Sequence, residues 1–178
     1  EDTSNIMIID PCFWGQRVSY ISKGYYEYAV MAYLKKSLGE GDTFIDIGAN
    51  IGFFSMFASG KVGATGRVLS FEPSPGAFKM LSAHTYINRL KNVELFNMAL
   101  FDSTGTLKMK VEDEGGRGSI RSSASFDDEI EVLADRFDNL DTQIPNNAKG
   151  FCKIDVEGAE IDVLSGLSET LMRNKPLI

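Results

Sequence analysis

The chain is poor in the residues that build covalent and metal frameworks. Its 178 residues include two cysteines, Cys12 and Cys152, and one histidine, His84. Two isolated cysteines make no disulfide scaffold, and neither lies in a CxxC or Cys/His cluster. Reduced thiols and a cytoplasmic setting are therefore expected, and no metal site. His84 falls in a helical pattern with no acidic or histidine partner at metal spacing, so a structural or surface role is expected. Positive charge is also short: 18 Lys+Arg stand against 25 Asp+Glu, for a net charge of −7 and a pI of about 4.8. Such a chain repels polyanions, so neither nucleic acid nor an anionic membrane is an expected partner. Long apolar runs are missing too. The longest, Phe53 to Ala58, falls far short of the roughly 18 residues that a spanning helix needs, and a soluble protein is expected. The opening residue is Glu1 rather than Met, which suggests a trimmed, processed or excerpted chain. What is present suffices for a core: 43% of residues are hydrophobic and 11% aromatic, in a length that fits one domain.

The segment 1–24 mixes apolar and turn residues without a period and reads as an irregular cap to a core spanning 25–178. Tyr26, Val30, Tyr33, Leu34 and Leu38 then recur at helical spacing, and Gly39 follows as a stop. The run Thr43-Phe44-Ile45-Asp46-Ile47 has the short, β-branched character of a strand buried on both faces. A glycine turn and a helix follow. The same unit repeats with a strand at Arg67–Phe71 and a helix opened by Ser74-Pro75 and faced by Phe78, Leu81 and Thr85, and a third strand runs from Val93 to Asn97. Strands alternating with helices predict an α/β fold, a doubly wound, mostly parallel Rossmann-like sheet.

Beyond the third strand the pattern changes. Leu107, Met109 and Val111 alternate with Thr106, Lys108 and Lys110, which predicts a strand with one wet face in an antiparallel insert or edge. The segment 113–125 is too rich in glycine and serine to pack and reads as a mobile loop. A strand is expected from Glu129 to Leu133 and a short helix from Ala134 to Leu140. Buried-strand character returns at Gly150–Val156, with Ile161, Leu164, Leu167 and Leu171 marking the helix behind it. A further strand begins at Pro176-Leu177-Ile178, so the C-terminal strands look truncated, and the apolar surface thereby exposed predicts either association into a homo-oligomer or low stability.

Chemistry concentrates at Asp46-Ile47-Gly48-Ala49-Asn50-Ile51-Gly52, a strand end running through a glycine turn into a helix. Open α/β sheets bind ligands at such strand ends. Gly48 admits close approach to the backbone, and the helix starting near Gly52 offers unpaired N–H groups to an anionic group. Glu72 ends the second strand twenty residues past Gly52, where a ribose-binding acid belongs. The GxGxxG spacing that a pyrophosphate requires is missing. S-adenosylmethionine (SAM), which has no phosphate and presents an amino-acid end, suits an acid such as Asp46 beside the turn better than a dinucleotide does.

The segments Phe44–Ser55, Phe71-Glu72-Pro73-Ser74-Pro75, Asn97-Met98-Ala99-Leu100 and Lys153-Ile154-Asp155-Val156-Glu157-Gly158-Ala159-Glu160 resemble the successive motifs of the FkbM-type SAM-dependent methyltransferases. The likeness runs from about Tyr25 to Ile178, and the last motif is its most specific part. It implies a class I methyltransferase fold and methyl transfer to hydroxyls of sugars, glycans or related metabolites. It further implies that Asp46, Gly48, Asn50 and Gly52 hold the methionine end of SAM, that Glu72 holds the ribose, that Asn97, Met98 and Ala99 border the adenine, and that Asp155 and Glu157 face the methyl group and acceptor. Methyl transfer onto a hydroxyl needs in-line positioning, exclusion of water and a base for the departing proton, a task for which two carboxylates at a strand end are suited. Asp155 would end its strand and Glu157 begin the next helix, while Glu160 and Asp162 read as first-turn acids complementing the helix dipole. Arg117 and Arg121 read as solvated loop residues. Asp127 and Asp128 with Asp155 offer carboxylates for a cation, though nothing in their spacing demands one. Two other readings stay open: a nicotinamide-dependent oxidoreductase, and a non-catalytic SAM-binding or interaction domain.

Overall fold

The computed structural model describes residues 5–8, 27–111, 118–119, 129–142, 144–145 and 148–178. Most of the cap, Cys12, Tyr25, Tyr26, Arg117, Arg121, Asp127, Asp128 and all of the 113–125 loop but residues 118 and 119 lie outside them.

Helix α1 (Tyr28–Ser37) leads into β1 (Thr43–Ile47), α2 (Phe53–Val62), β2 (Arg67–Phe71), α3 (Pro75–Ile87) and β3 (Val93–Phe96). Four short strands follow, β4 (Ala99–Leu100), β5 (Gly105–Val111), β6 (Gly118–Ser119) and β7 (Glu129–Asp135). The chain then returns through β8 (Gly150–Ile154) to α4 (Glu160–Gly166) and α5 (Ser168–Asn174). The main sheet has the order β3-β2-β1-β8, all parallel, so the alternation of strands and helices produced the pairing expected of it. Leu177 adds a bridge to Phe151 on the outer side of β8, the beginning of the further strand.

Register decides which residues share a face. Phe44, Val68 and Phe151 are opposite one another and pack with Phe54, Ala58 and Val62 of α2 and with Leu34 and Leu38. Ile45, Leu69 and Cys152 point the other way, into a cluster with Phe71, Leu100, Phe137, Val163 and Leu167. Each valine, leucine, isoleucine or phenylalanine among them contributes roughly 1.5–3 kcal/mol through burial, and the two clusters together hold helices on both faces of one sheet. Phe71 stacks on Phe96 at 4.5 Å between centroids and meets Phe137 edge-on at 5.9 Å, which ties the end of β2 to β3 and to the insert.

The antiparallel insert is present as a second sheet of order β4-β7-β5-β6, in which β5 runs antiparallel to β7 and to β6. Met109 is buried on its dry face, and Lys108 on the wet face pairs with Glu129 at 3.6 Å. Three local expectations are corrected. Ala134 and Asp135 are the last residues of β7, because pairing with β5 continues to Gly105, and only Phe137–Asn139 forms a 3-10 turn. The final helix is broken at Leu167 into α4 and α5, with Val163 and Leu167 buried and Ile161 exposed. In α1, Val30 and Tyr33 are exposed while Leu34, and Leu38 just past the helix end, are buried, so the covered stripe is narrower than the spacing suggested.

Candidate functional site

The carboxyl ends of β1, β2, β3 and β8 meet at one edge of the main sheet, and the sequence-predicted residues gather there. After β1 the chain turns through Gly48 (φ 78°), Asn50 (φ 50°) and Gly52 (φ 91°) before α2 begins. The N–H groups of Gly48 and Ala49 both donate to the Phe71 carbonyl at 3.0 Å, which pins the turn to the end of β2. A Cβ at Gly48 would run into the carbonyl of Asp155, so the turn after β1 touches the turn after β8. Only glycine combines that left-handed φ with that close approach. A Cβ at Gly52 would press on Leu81 of α3.

Glu72 follows β2 and is 6% exposed. One carboxylate oxygen accepts from the Asn50 N–H and the other from the Ser74 N–H, both at 2.8 Å. Asn97, just past β3, donates its side-chain amide to the carbonyls of Glu72 and Pro73 at 2.8 and 3.2 Å, holding the same loop from the other side. Met98 packs partly buried against the core, and Ala99 is buried at the start of β4. Burial pushes the Glu72 carboxyl up to about 7, against the opposing pull of the two N–H donors, with the charges of Asp46 and Asp155 adding to the rise. In the folded chain this group takes up a proton at a pH where the unfolded chain, with a value near 4.5, has already lost it. Its contribution to stability is therefore greatest below about pH 4.5 and is lost as pH rises through about 7. Thermal melts of Glu72→Gln across that window should show a flatter fall in stability than the unaltered chain, and an equal slope would contradict the assignment.

Asp46 is fully buried. In the parallel register it lies between Ser70 and Lys153, on the face toward α2 and one step beyond the row of Phe44, Val68 and Phe151. Ser55, from the first turn of α2, donates to Asp46 Oδ2 at 2.6 Å and accepts from Ser70 at 2.8 Å, while Oδ1 of Asp46 has no hydrogen-bond partner. Burial raises the Asp46 carboxyl above the usual range, moderated by Lys153 and the Ser55 hydroxyl.

Asp155 follows directly on β8, its N–H donating to the Ile47 carbonyl at 3.0 Å, and its half-exposed carboxylate receives Lys153 Nζ at 3.1 Å. Glu157 does not begin a helix. It sits exposed in the connecting turn with φ 53°, followed by Gly158 at φ 106°, and α4 starts only at Glu160. Glu160 accepts from the Gly158 N–H at 3.0 Å, in keeping with a helix-start role. The structure thus brings Gly48, Asn50, Gly52, Glu72, Asn97 and Asp155 to one edge, with Glu157 two residues past Asp155, and sets Asp46 one layer beneath them.

Ser55, Ser70 and Lys153, which join Asp46 in this buried row, were not singled out as site residues by the sequence. The signal for them was the register: a serine, an aspartate and a lysine at matching positions of three buried strands mark a polar row that no apolar core requires. His84 is fully buried. Its Nδ1 faces the Ile51 carbonyl at 2.7 Å, and its Nε2 accepts from the Ile8 N–H at 2.9 Å, so it is structural. Among the described residues no group of three His, Cys, Asp or Glu side chains could hold a metal ion, and no helix is long and apolar enough to cross a membrane.

Comparison with known proteins places this geometry. The chain is 30% identical over 164 residues to a protein of Sordaria araneosa named methyltransferase sdnD, covering 73% of this chain and 63% of that one. It is 26% identical over 148 residues to the hexuronic acid methyltransferase AglP of Haloferax volcanii, covering 82% and 58%. The chain spans about three-fifths of the length of these curated relatives. A solved structure, methyltransferase FkbM from Methylobacillus flagellatus, superposes on 96% of this chain and 44% of its own with a TM-score of 0.53 at 16% identity, a likeness of fold. The methyltransferase FkbM domain model matches residues 46–178, three-quarters of the chain, from the buried acid of β1 to the last residue, and the chain belongs to that family.

Proposed function

We propose that this chain is the catalytic domain of a SAM-dependent methyltransferase that methylates a hydroxyl on a sugar, glycan or related metabolite. The observation that carries the reading is the Glu72 carboxylate, held by one N–H on each oxygen at the ends of β1 and β2. A carboxylate has about four acceptor positions, so two are left for the hydroxyls of a ribose without loss of either backbone bond. The remaining groups would suit the same ligand: Asp155, with Asp46 one layer beneath the edge, offers a carboxylate to a cationic amino-acid end, and Asn97, Met98 and Ala99 follow the strand next to Glu72, where a base would lie. When bound, SAM supplies a methyl group on a cationic sulfur. This chain's part is to hold it, to exclude water and to take the hydroxyl proton, for which Asp155 and Glu157 are the candidates. A relative named for hexuronic acid supports a sugar-type acceptor. The missing dinucleotide glycine spacing and the family membership weigh against the oxidoreductase reading. The further elements of the reading are a single domain over 1–178, with 1–24 as its cap and 25–178 as its core, a cytoplasmic setting, association into a homo-oligomer, and partners confined to small molecules or glycans.

Calorimetry tests the cofactor. The protein should bind SAM and its demethylated product but not NAD, and Glu72→Gln should weaken SAM by at least about tenfold, because charge-assisted hydrogen bonds to the ribose contribute about 1.5–3 kcal/mol each. Unchanged affinity in Glu72→Gln would remove the ribose assignment. A panel of sugars and uronic acids assayed for methyl uptake tests the acceptor class.

A further inference from the structure

We infer that Lys153 is a positioning residue, whose ammonium, seated over the ring of Phe54, holds the Asp155 carboxylate in the cleft. The inference rests on the cofactor reading above. Lys153 lies on β8 directly opposite Asp46 and faces α2, where the preceding row of the sheet is wholly apolar. Its side chain is 11% exposed, its Nζ sits 4.8 Å from the centroid of Phe54 and reaches Asp155 Oδ2 at 3.1 Å, while the Asp155 side chain is 48% exposed. One end of this ion pair is therefore fixed in the protein interior and the other is presented to the cleft. Burial by itself would lower the Lys153 ammonium, but Asp46, Asp155 and Glu27 outweigh it and hold the group above the usual lysine range, so it stays charged.

Stability alone does not call for this arrangement. Apolar residues at Asp46, Ser70 and Lys153 would continue the packing of Phe44, Val68 and Phe151, and buried ion pairs are commonly no more stable than such replacements. An exposed carboxylate ordinarily wanders among rotamers, and exposed ion pairs contribute little because both partners must be ordered. Here the lysine is largely buried and seated over the Phe54 ring, so only Asp155 is left to fix. The result is a carboxylate aimed from β8 beside the Gly48 turn.

The test is SAM binding to the full-length protein by calorimetry, with Lys153→Met, Asp155→Asn and the double variant. Each single change should weaken SAM by about three- to fivefold, and the double should be no weaker than the worse single, since Lys153 acts through Asp155. Lys153→Arg should restore affinity to within about twofold, because the cation and its donor are kept. A purely electrostatic role predicts the opposite sign, because SAM is net positive and loss of a nearby cation would tighten it. Lys153→Met also leaves Asp46 buried without its counter-charge, so the same change is made on Asp46→Asn. There the melting temperature should recover, while the loss of SAM affinity, measured against Asp46→Asn alone, should persist. Tightened SAM binding, additive losses in the double variant, or a loss that disappears on the Asp46→Asn background would each overturn the inference. An unaltered protein that does not bind SAM would remove the cofactor reading and this inference with it.

Discussion

Methyl transfer by the full-length protein should fall by about 10²–10⁴-fold when Asp155 is changed to Asn or Glu157 to Gln, the loss typical of removing a general base, while SAM affinity changes by only a fewfold. The expectation comes from where the two acids stand. Asp155 is tied to the end of β1 through its N–H on Ile47 and lies against Gly48, so it cannot leave the cleft without dismantling the contact between two turns. Glu157 follows on an exposed turn whose left-handed conformation, continued through Gly158, reverses the chain before α4. From these positions one acid can face the positive donor while the other accepts the hydroxyl proton. Separate measurement of kcat and SAM affinity decides the matter. If both variants keep near-normal turnover, or lose turnover and SAM binding in equal measure, the proton acceptor lies elsewhere.

Among the described glycines, Gly48 should be the one where a change to alanine does most damage. A left-handed backbone costs a non-glycine residue roughly 1–3 kcal/mol, and the new Cβ would in addition be driven into the Asp155 carbonyl, which is backbone and has no rotamer to give. A loss of at least about 3 kcal/mol is expected, together with loss of SAM binding, because relieving the collision separates the turns after β1 and β8. Denaturant unfolding read alongside calorimetry checks both halves. Gly105→Ala is the matching control, since a Cβ there meets nothing. Equal stability of the two variants would show that the turns are not in contact.

Much of this arrangement was legible in the sequence, for identifiable reasons. β1 and β2 were plain because both are short apolar runs bounded by turn residues, and the glycine turn and Glu72 could be placed because they follow directly on strand ends. The boundaries around Asp135 were not, because the helical look of 134–140 is local, whereas the extension of β7 depends on pairing with Gly105 some thirty residues away. Glu157 looked like a helix start because acids favour first turns, yet its own backbone is left-handed. Lys153 was hidden most fully. A lysine inside a motif gives no hint of direction, and only the register of β1 against β8 sets it opposite Asp46.

That register has a consequence for the order in which the protein forms. β1 and β2 are neighbours in both sequence and space, but β8 reaches β1 only after the chain has passed through the whole insert, more than a hundred residues beyond Thr43. Closing so long a loop is entropically slow and is rewarded only when the strand finally docks. The half of the cleft that carries Glu72 can therefore form early, while Asp155 and its lysine arrive with the last strand. Pulse-labelled hydrogen exchange should find the amides of β1 and β2 protected before those of β8, so that a refolding chain sets Glu72 in place before Asp155 and Lys153.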